Sequence, residues 1–194
     1  KRKFPRNIDD CFAIRRNSNN YNQRKLYEQY RHSMALDPID QPIRGNFQWK
    51  DGIKDSEVVF YPEDNGKWLV AWLPPEEDRN KKERIGTHWT PTRDFCKTGA
   101  DPFAHRQVTG KGSMGAAHTI LESHYKFPNM KMSWVCQYLA RPEHPHEQAE
   151  DMIMQCVMYS SPFLCEKNVY GVLDTFHKRG YDGYCMYNPL DPES

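Results

Sequence analysis

Two carboxylates are the residues in this chain best placed to do chemistry. Asp101 stands in Thr98-Gly99-Ala100-Asp101-Pro102, at the end of a stretch that reads as a strand. Glu166 closes Phe163-Leu164-Cys165-Glu166 in the same way. Charge is costly inside a sheet, so an acid that ends a mostly neutral strand needs a reason. Taken singly, each fits a turn-capping or salt-bridged role, Asp101 before Pro102 in particular. As a pair on neighbouring strands they would supply what a hard divalent cation requires, since Mg²⁺ takes one or two carboxylates plus water or phosphate oxygens. Cations held in this way activate water and stabilise a leaving oxygen in phosphodiester hydrolysis.

Other motifs promise less. Gly110-Lys111-Gly112-Ser113-Met114-Gly115 matches G-x-G-x-x-G letter for letter. That dinucleotide fingerprint also needs a following helix and an acid about 20 residues on, at a strand end. Residues 133–139 contain no acid, so a hairpin loop between antiparallel strands is expected, with Lys111 exposed to phosphates. Lys111 does not complete a G-x-x-x-x-G-K-[ST] phosphate loop. His146-Glu147-Gln148-Ala149-Glu150 begins like H-E-x-x-H but ends in Glu, and His144 and His146 read as surface or capping residues at a helix start. Six cysteines, at 11, 96, 136, 156, 165 and 185, form no C-x-x-C pair. They read as reduced, small buried hydrophobes rather than zinc ligands.

The elements that must position the two acids follow from periodicity. Residues 95–101, 113–122 and 131–139 read as three strands. Ala149, Met152, Ile153, Cys156 and Val157 then fall on one helix face, with acids on the other. Residues 163–166 form a short strand. A second helix follows, with Asn168 as N-cap, Val169, Val172, Leu173 and Phe176 as its buried face, and Lys178-Arg179-Gly180 as its C-terminal signal. Residues 183–187 read as a last strand. Three meandering strands followed by αβαβ is the order of the ribonuclease H-like fold, and right-handed crossovers would lay the final strands parallel in one mixed sheet.

The first half is less regular. Leu26, Tyr30 and Met34 predict an amphipathic helix over 22–36, ended by Pro38 and Pro42. Strands are expected at 46–49, 57–61 and 67–73, with Glu63-Asp64-Asn65-Gly66 as a hairpin signal between the last two. Residues 74–93 read as a loop or linker. The expected division is therefore a connecting region over 1–93, of one helix and short β-strands, and an α/β domain over 94–194. That domain would be a ribonuclease H-like mixed sheet flanked by helices, incomplete at its C-terminus.

Composition sets the bounds. At 194 residues the chain is long enough for one domain or for a domain plus an appendage, and 38% hydrophobic with 27% charged residues suits a globular protein with a modest core. No apolar run approaches the roughly 20 residues of a membrane span, and Lys1-Arg2-Lys3-Phe4-Pro5 lacks a signal peptide's apolar stretch. The expectation is a soluble chain without membrane association. Net charge is only +1, yet residues 1–31 carry nine Lys or Arg against three acids. Such a segment either attracts phosphate or is a solvated helix face.

The residues also resemble a family, the large terminase subunits of tailed phages, of the crAss-like type. The resemblance rests on Thr98-Gly99-Ala100-Asp101-Pro102-Phe103 and on Tyr138-Leu139-Ala140-Arg141-Pro142-Glu143 ahead of Glu150-Asp151. It rests further on Leu164-Cys165-Glu166-Lys167-Asn168 and Arg179-Gly180-Tyr181. Upstream, Phe4-Pro5-Arg6 with Asp9-Asp10-Cys11-Phe12, and Gly45-Asn46-Phe47 with Val59-Phe60-Tyr61-Pro62, resemble the region that follows the packaging ATPase.

The resemblance implies an acidic triad that binds Mg²⁺ or Mn²⁺ and cuts concatemeric double-stranded DNA. Asp101 and Glu166 match its first two acids. The third has no clear counterpart before Ser194: Asp174 falls off the buried helix face, Asp182 lies in a turn, and Asp191 follows the final strand as the least poor stand-in. A weakly active nuclease fragment is therefore expected, with Lys111 and Lys167 as candidate DNA contacts. The portal and the small terminase subunit would be partners of the full-length protein, in the cytoplasm of an infected bacterium. The competing expectations are a module that grips DNA or docks a motor to its portal without cutting, and another ribonuclease H-like nuclease such as a resolvase.

Overall fold

Strict alternation between two environments organises the centre of the molecule. In β7 (Gly115–Leu121), Gly115, Ala117, Thr119 and Leu121 are buried while Ala116, His118 and Ile120 are half-buried, as expected when one face of a strand meets a core. The computed structural model describes residues 22–37, 41–103, 114–130, 132–165 and 170–186. The chain divides into two compact units, Lys1–Gln41 and Pro42–Ser194.

In the first unit the helix expected over 22–36 is α1 (Gln23–Met34), and the Asn22 side chain caps it by accepting the Lys25 N–H at 3.2 Å. Leu26, Tyr30 and Met34 are exposed among the described residues.

The second unit is mixed α/β, with a seven-stranded mixed sheet flanked by helices. Its strands are β1 (Ile43–Trp49), β2 (Val58–Pro62), β3 (Trp68–Val70), β6 (Cys96–Asp101), β7, β8 (Ser133–Ala140) and β9 (Phe163–Cys165). They lie in the order β2-β1-β3-β8-β7-β6-β9. β6 and β9 run parallel; the other pairs are antiparallel. Helix α2 (Pro145–Tyr159) connects β8 to β9 and packs on β1, β2 and β7, and α3 (Tyr170–Lys178) packs on α2. Strands from residues 43–70 thus share one sheet with those from 96–165.

Several expectations need correction. The Glu63–Gly66 turn exists, closed by the Gly66 N–H on the Glu63 carbonyl at 2.9 Å, but it does not make a hairpin. β2 and β3 pair with opposite sides of β1, so the turn carries the chain across the end of β1. There Gly66 lies against the Gly45 backbone, where a Cβ would clash. The stretch 74–93 is no linker either. It holds β4 (Lys82–Ile85) and β5 (His88–Pro91), paired across a two-residue turn whose Gly86 has φ +63°. The acids of α2 do not face water as expected: Asp151 is buried, and Glu150 is paired with Arg179 at 2.6 Å. The last strand shrinks to one parallel bridge, Cys185 to Phe163, after a 3₁₀ turn at Asp182–Tyr184. Asn168, Val169 and Tyr187 lie outside the described residues. Gly180, with φ +73°, ends α3 as expected, because the Tyr181 N–H returns to the Phe176 carbonyl and the Gly180 N–H to that of His177.

One free edge of the sheet is blunted. Asn80 accepts the Val58 N–H through Oδ1 at 2.8 Å and donates Nδ2 to the Val58 carbonyl at 3.0 Å. Pro62, at the other end of β2, has no N–H to offer.

The core is where α2 meets the sheet. Met152, Ile153, Cys156, Val157 and Tyr159 are fully buried, opposite Phe47, Trp68, Ala117, Leu121 and Tyr138. Each large apolar side chain removed from water contributes about 1.5–3 kcal/mol. Through this layer runs a polar chain: the Trp68 indole donates to Gln155 at 3.0 Å, and Gln155 donates to the Thr119 hydroxyl at 2.9 Å. Thr119 meets Thr98 at 2.8 Å, and Thr98 meets Ser161 at 2.6 Å. We expect Gln155→Leu to lower stability by about 1–3 kcal/mol in urea titration, since it strands a buried indole N–H. Loss below about 0.5 kcal/mol would mean that the chain contributes no more than an apolar contact.

Candidate functional site

Asp101 is the last residue of β6 and is exposed. It pairs with Ala116 of β7, so both side chains leave the sheet on the face away from α2. On its other side β6 meets β9 in parallel, through Thr98–Phe163, Gly99–Leu164 and Ala100–Cys165. Glu166, Lys111, Lys167 and Asp191 lie outside the described residues. Asp174 is exposed and holds Lys178 at 2.5 Å, and Asp182 lies between two histidines. Among the described residues, no group of three or more His, Cys, Asp or Glu is placed to hold a metal ion.

Close by, the guanidinium of Arg141 sits 4.4 Å over the ring of buried Phe103. Gly115, which starts β7, opens a strand and not a helix, so the G-x-G-x-x-G match has no dinucleotide geometry. Its missing side chain makes room for the amide of Gln148, which is fully buried with neither polar atom hydrogen-bonded among the described residues. His144 is the N-cap of α2, and Glu147 accepts its N–H at 3.4 Å.

Three ionic clusters that periodicity did not reveal hold distant segments together. Asp151 accepts from Lys67 at 2.7 Å and from the Tyr138 hydroxyl at 2.9 Å. Burial raises its carboxyl pKa, against the opposing pull of Lys67. Arg179 spans Asp55, at 2.8 and 3.3 Å, and Glu150. Burial acts to lower its pKa, but the two carboxylates outweigh it and hold it raised. Asp182 joins His88 at 2.7 Å to His177 at 2.5 Å. Burial works to raise the Asp182 carboxyl, yet the histidine hydrogen bonds leave it below its ordinary value. Each cluster can hold a proton or a hydrogen bond in place, although the second oxygen of Glu150, Oε2, is buried without a hydrogen-bond partner among the described residues.

Lys82 is a separate case. Its ammonium lies 4.9 Å from the Trp89 ring, 5.3 Å from Trp49 and 6.0 Å from Tyr181, and donates to the Asp55 and Ser56 carbonyls.

The face of the sheet away from α2 carries its own constellation. His118 and Trp134 meet edge to face at 5.2 Å, beside a cavity of about 310 Å³ that Leu69, Ala71, Val135, Cys136 and Gln137 also line. Trp134 is 68% exposed, and burial lowers the His118 pKa. Period-two patterning could not have found it: Trp134 shares the phase of buried Cys136 and Tyr138, and only the register shift opposite Thr119 and Ile120 turns it to the open face. No family model, curated protein or solved structure matches the chain. No helix among the described residues is long and apolar enough to cross a membrane.

Burial pulls the Lys82 pKa down from its ordinary 10.5 to about 8, against the raising effect of Asp55. Between those two values the unfolded chain binds more protons than the folded one, so this residue adds stability as pH rises. In urea titrations across that window, wild type should gain on Lys82→Met as pH increases. A constant difference would show that the ammonium is no harder to hold folded than unfolded.

Proposed function

We propose that this chain is a divalent-metal-dependent endonuclease of ribonuclease H-like fold, the nuclease part of a viral terminase large subunit that cuts concatemeric double-stranded DNA. The observation that carries the reading is the parallel pairing of β6 with β9 behind a three-stranded meander and a crossover helix. Cys185 adds a further parallel bridge beyond β9. Apart from the last strand, reduced to that bridge, this order supports a meander followed by αβαβ. The pairs Gly99–Leu164 and Ala100–Cys165 step towards Asp101 on one chain, and the next residue on the other is Glu166.

The residues present fit a hard cation in one respect and extend to the rest by sequence. Asp101 offers an exposed carboxylate at a strand end, outside the ionic clusters that hold Asp55, Asp151 and Asp182. Glu166 would complete the pair, with Mg²⁺ or Mn²⁺ held between carboxylates and phosphate oxygens. When bound, such an ion lowers the pKa of a water and stabilises the leaving oxygen. Asp101 would hold and orient it on the face of the sheet away from α2. The resemblance to terminases supports the wider setting, with portal and small subunit as partners in the infected host's cytoplasm.

A plasmid-nicking assay in Mn²⁺ tests this reading. Wild type should nick weakly but measurably and stop in EDTA. Asp101→Asn and Glu166→Gln should each reduce the rate by roughly 100-fold or more, while melting is unchanged for exposed Asp101. Asp191→Ala should leave the rate as it is. Metal-independent plasmid binding with no nicking would instead leave a module that grips DNA without cutting it.

A further inference from the structure

We propose that the cavity beside His118 and Trp134 binds an unpaired nucleobase of a nucleic-acid strand laid across the open face of the sheet. The exposed Trp134 ring offers a stacking surface, and His118 meets it edge to face at 5.2 Å. Gln137 lines the same cavity with an amide that both donates and accepts. The remaining walls are apolar, from Leu69, Ala71 and Val135, as in a site that buries a flat heterocycle and reads it through few polar groups.

Charge on the face fits a polyanion at its flanks. Across the sheet, cross-strand pairing sets Arg44, Leu69, Gln137, His118 and Gly99 in one row. The next row runs from Trp134 through Ile120 to Lys97. Arg44 and Lys97 thus bracket the cavity, with Glu122 offsetting Lys97 at 3.5 Å. Among the described residues, nothing stands within 4 Å of where a Gly99 side chain would be. Ala116, the pairing partner of Asp101, is two residues from His118 along β7. At about 3.4 Å per residue this is roughly 7 Å, within one nucleotide of the cavity.

The inference rests on the nuclease reading only for the direction of the strand; the ring site itself does not need Asp101. It implies that the strand presented to Asp101 is locally unpaired, with one base withdrawn from its stack. Base–aromatic stacking of this kind is worth about 1–3 kcal/mol per base and tolerates any sequence.

The test measures anisotropy of a dye-labelled oligothymidylate and of its fully abasic counterpart, in EDTA, with the full chain. Wild type should bind the intact strand roughly tenfold more tightly than the abasic one. Trp134→Ala should lose that factor on the intact strand and nothing on the abasic strand, with its melting temperature unchanged. Equal binding of the intact strand by wild type and Trp134→Ala overturns the proposal, and so does an equal loss on both strands. Nicking in Mn²⁺ reads the other proposal independently: ring-dependent binding without nicking keeps the base site and removes the nuclease.

Discussion

Helix α2 is buried on nearly every side, and the sheet around it depends on how that helix satisfies its polar groups. From Asp151 to Tyr159 no side chain reaches solvent freely. Gln155 and Asp151 therefore have to find partners inside, and they find them on different strands. Gln155 ties Trp68 of β3 to Thr119 of β7, while Asp151 ties Lys67, next to β3, to Tyr138 of β8. Buried amides and carboxylates are costly when unpaired and directional when paired. Those bonds fix the lateral register of three strands against one helix more sharply than apolar packing does.

The same economy of partners draws the two ends of the second unit together. Asp55 is 124 residues from Arg179, yet the guanidinium takes both of its oxygens, and Tyr181 adds a third hydrogen bond. Lys82 reaches the Asp55 carbonyl from β4, and the Trp89 N–H of β5 reaches the Gly180 carbonyl. The small β4–β5 sheet is thus a brace between the segment after β1 and the corner after α3. It holds Cys185 where it meets Phe163 on the β9 side of the sheet that leads towards Glu166.

Local periodicity made much of this legible. β6, β7 and β8 begin and end within two residues of their expected bounds, because their alternation is imposed by a one-sided core. The end of α3 was readable in Gly180 because no other residue takes that φ so cheaply. What failed was long-range. Asn65-Gly66 reads as a hairpin until β1 is known to lie between the two strands. The acids of α2 read as solvent-facing until Lys67 and Arg179 arrive from other segments. Asp101 was legible as a strand-ending acid, whereas the His118–Trp134 pair was not, since period-two patterning shows that a strand has two faces without saying which one a helix will cover.

The Asn80 side chain does more than fill a gap beside β2. By taking both backbone groups of Val58 it imitates the residue of an additional strand, and Pro62 withholds the next donor along. An incoming chain would find only a short interrupted ladder there, too brief to nucleate pairing. Lateral polymerisation of copies through that side is blocked at its first step, which matters for a protein whose other broad sheet surface leaves a tryptophan in water.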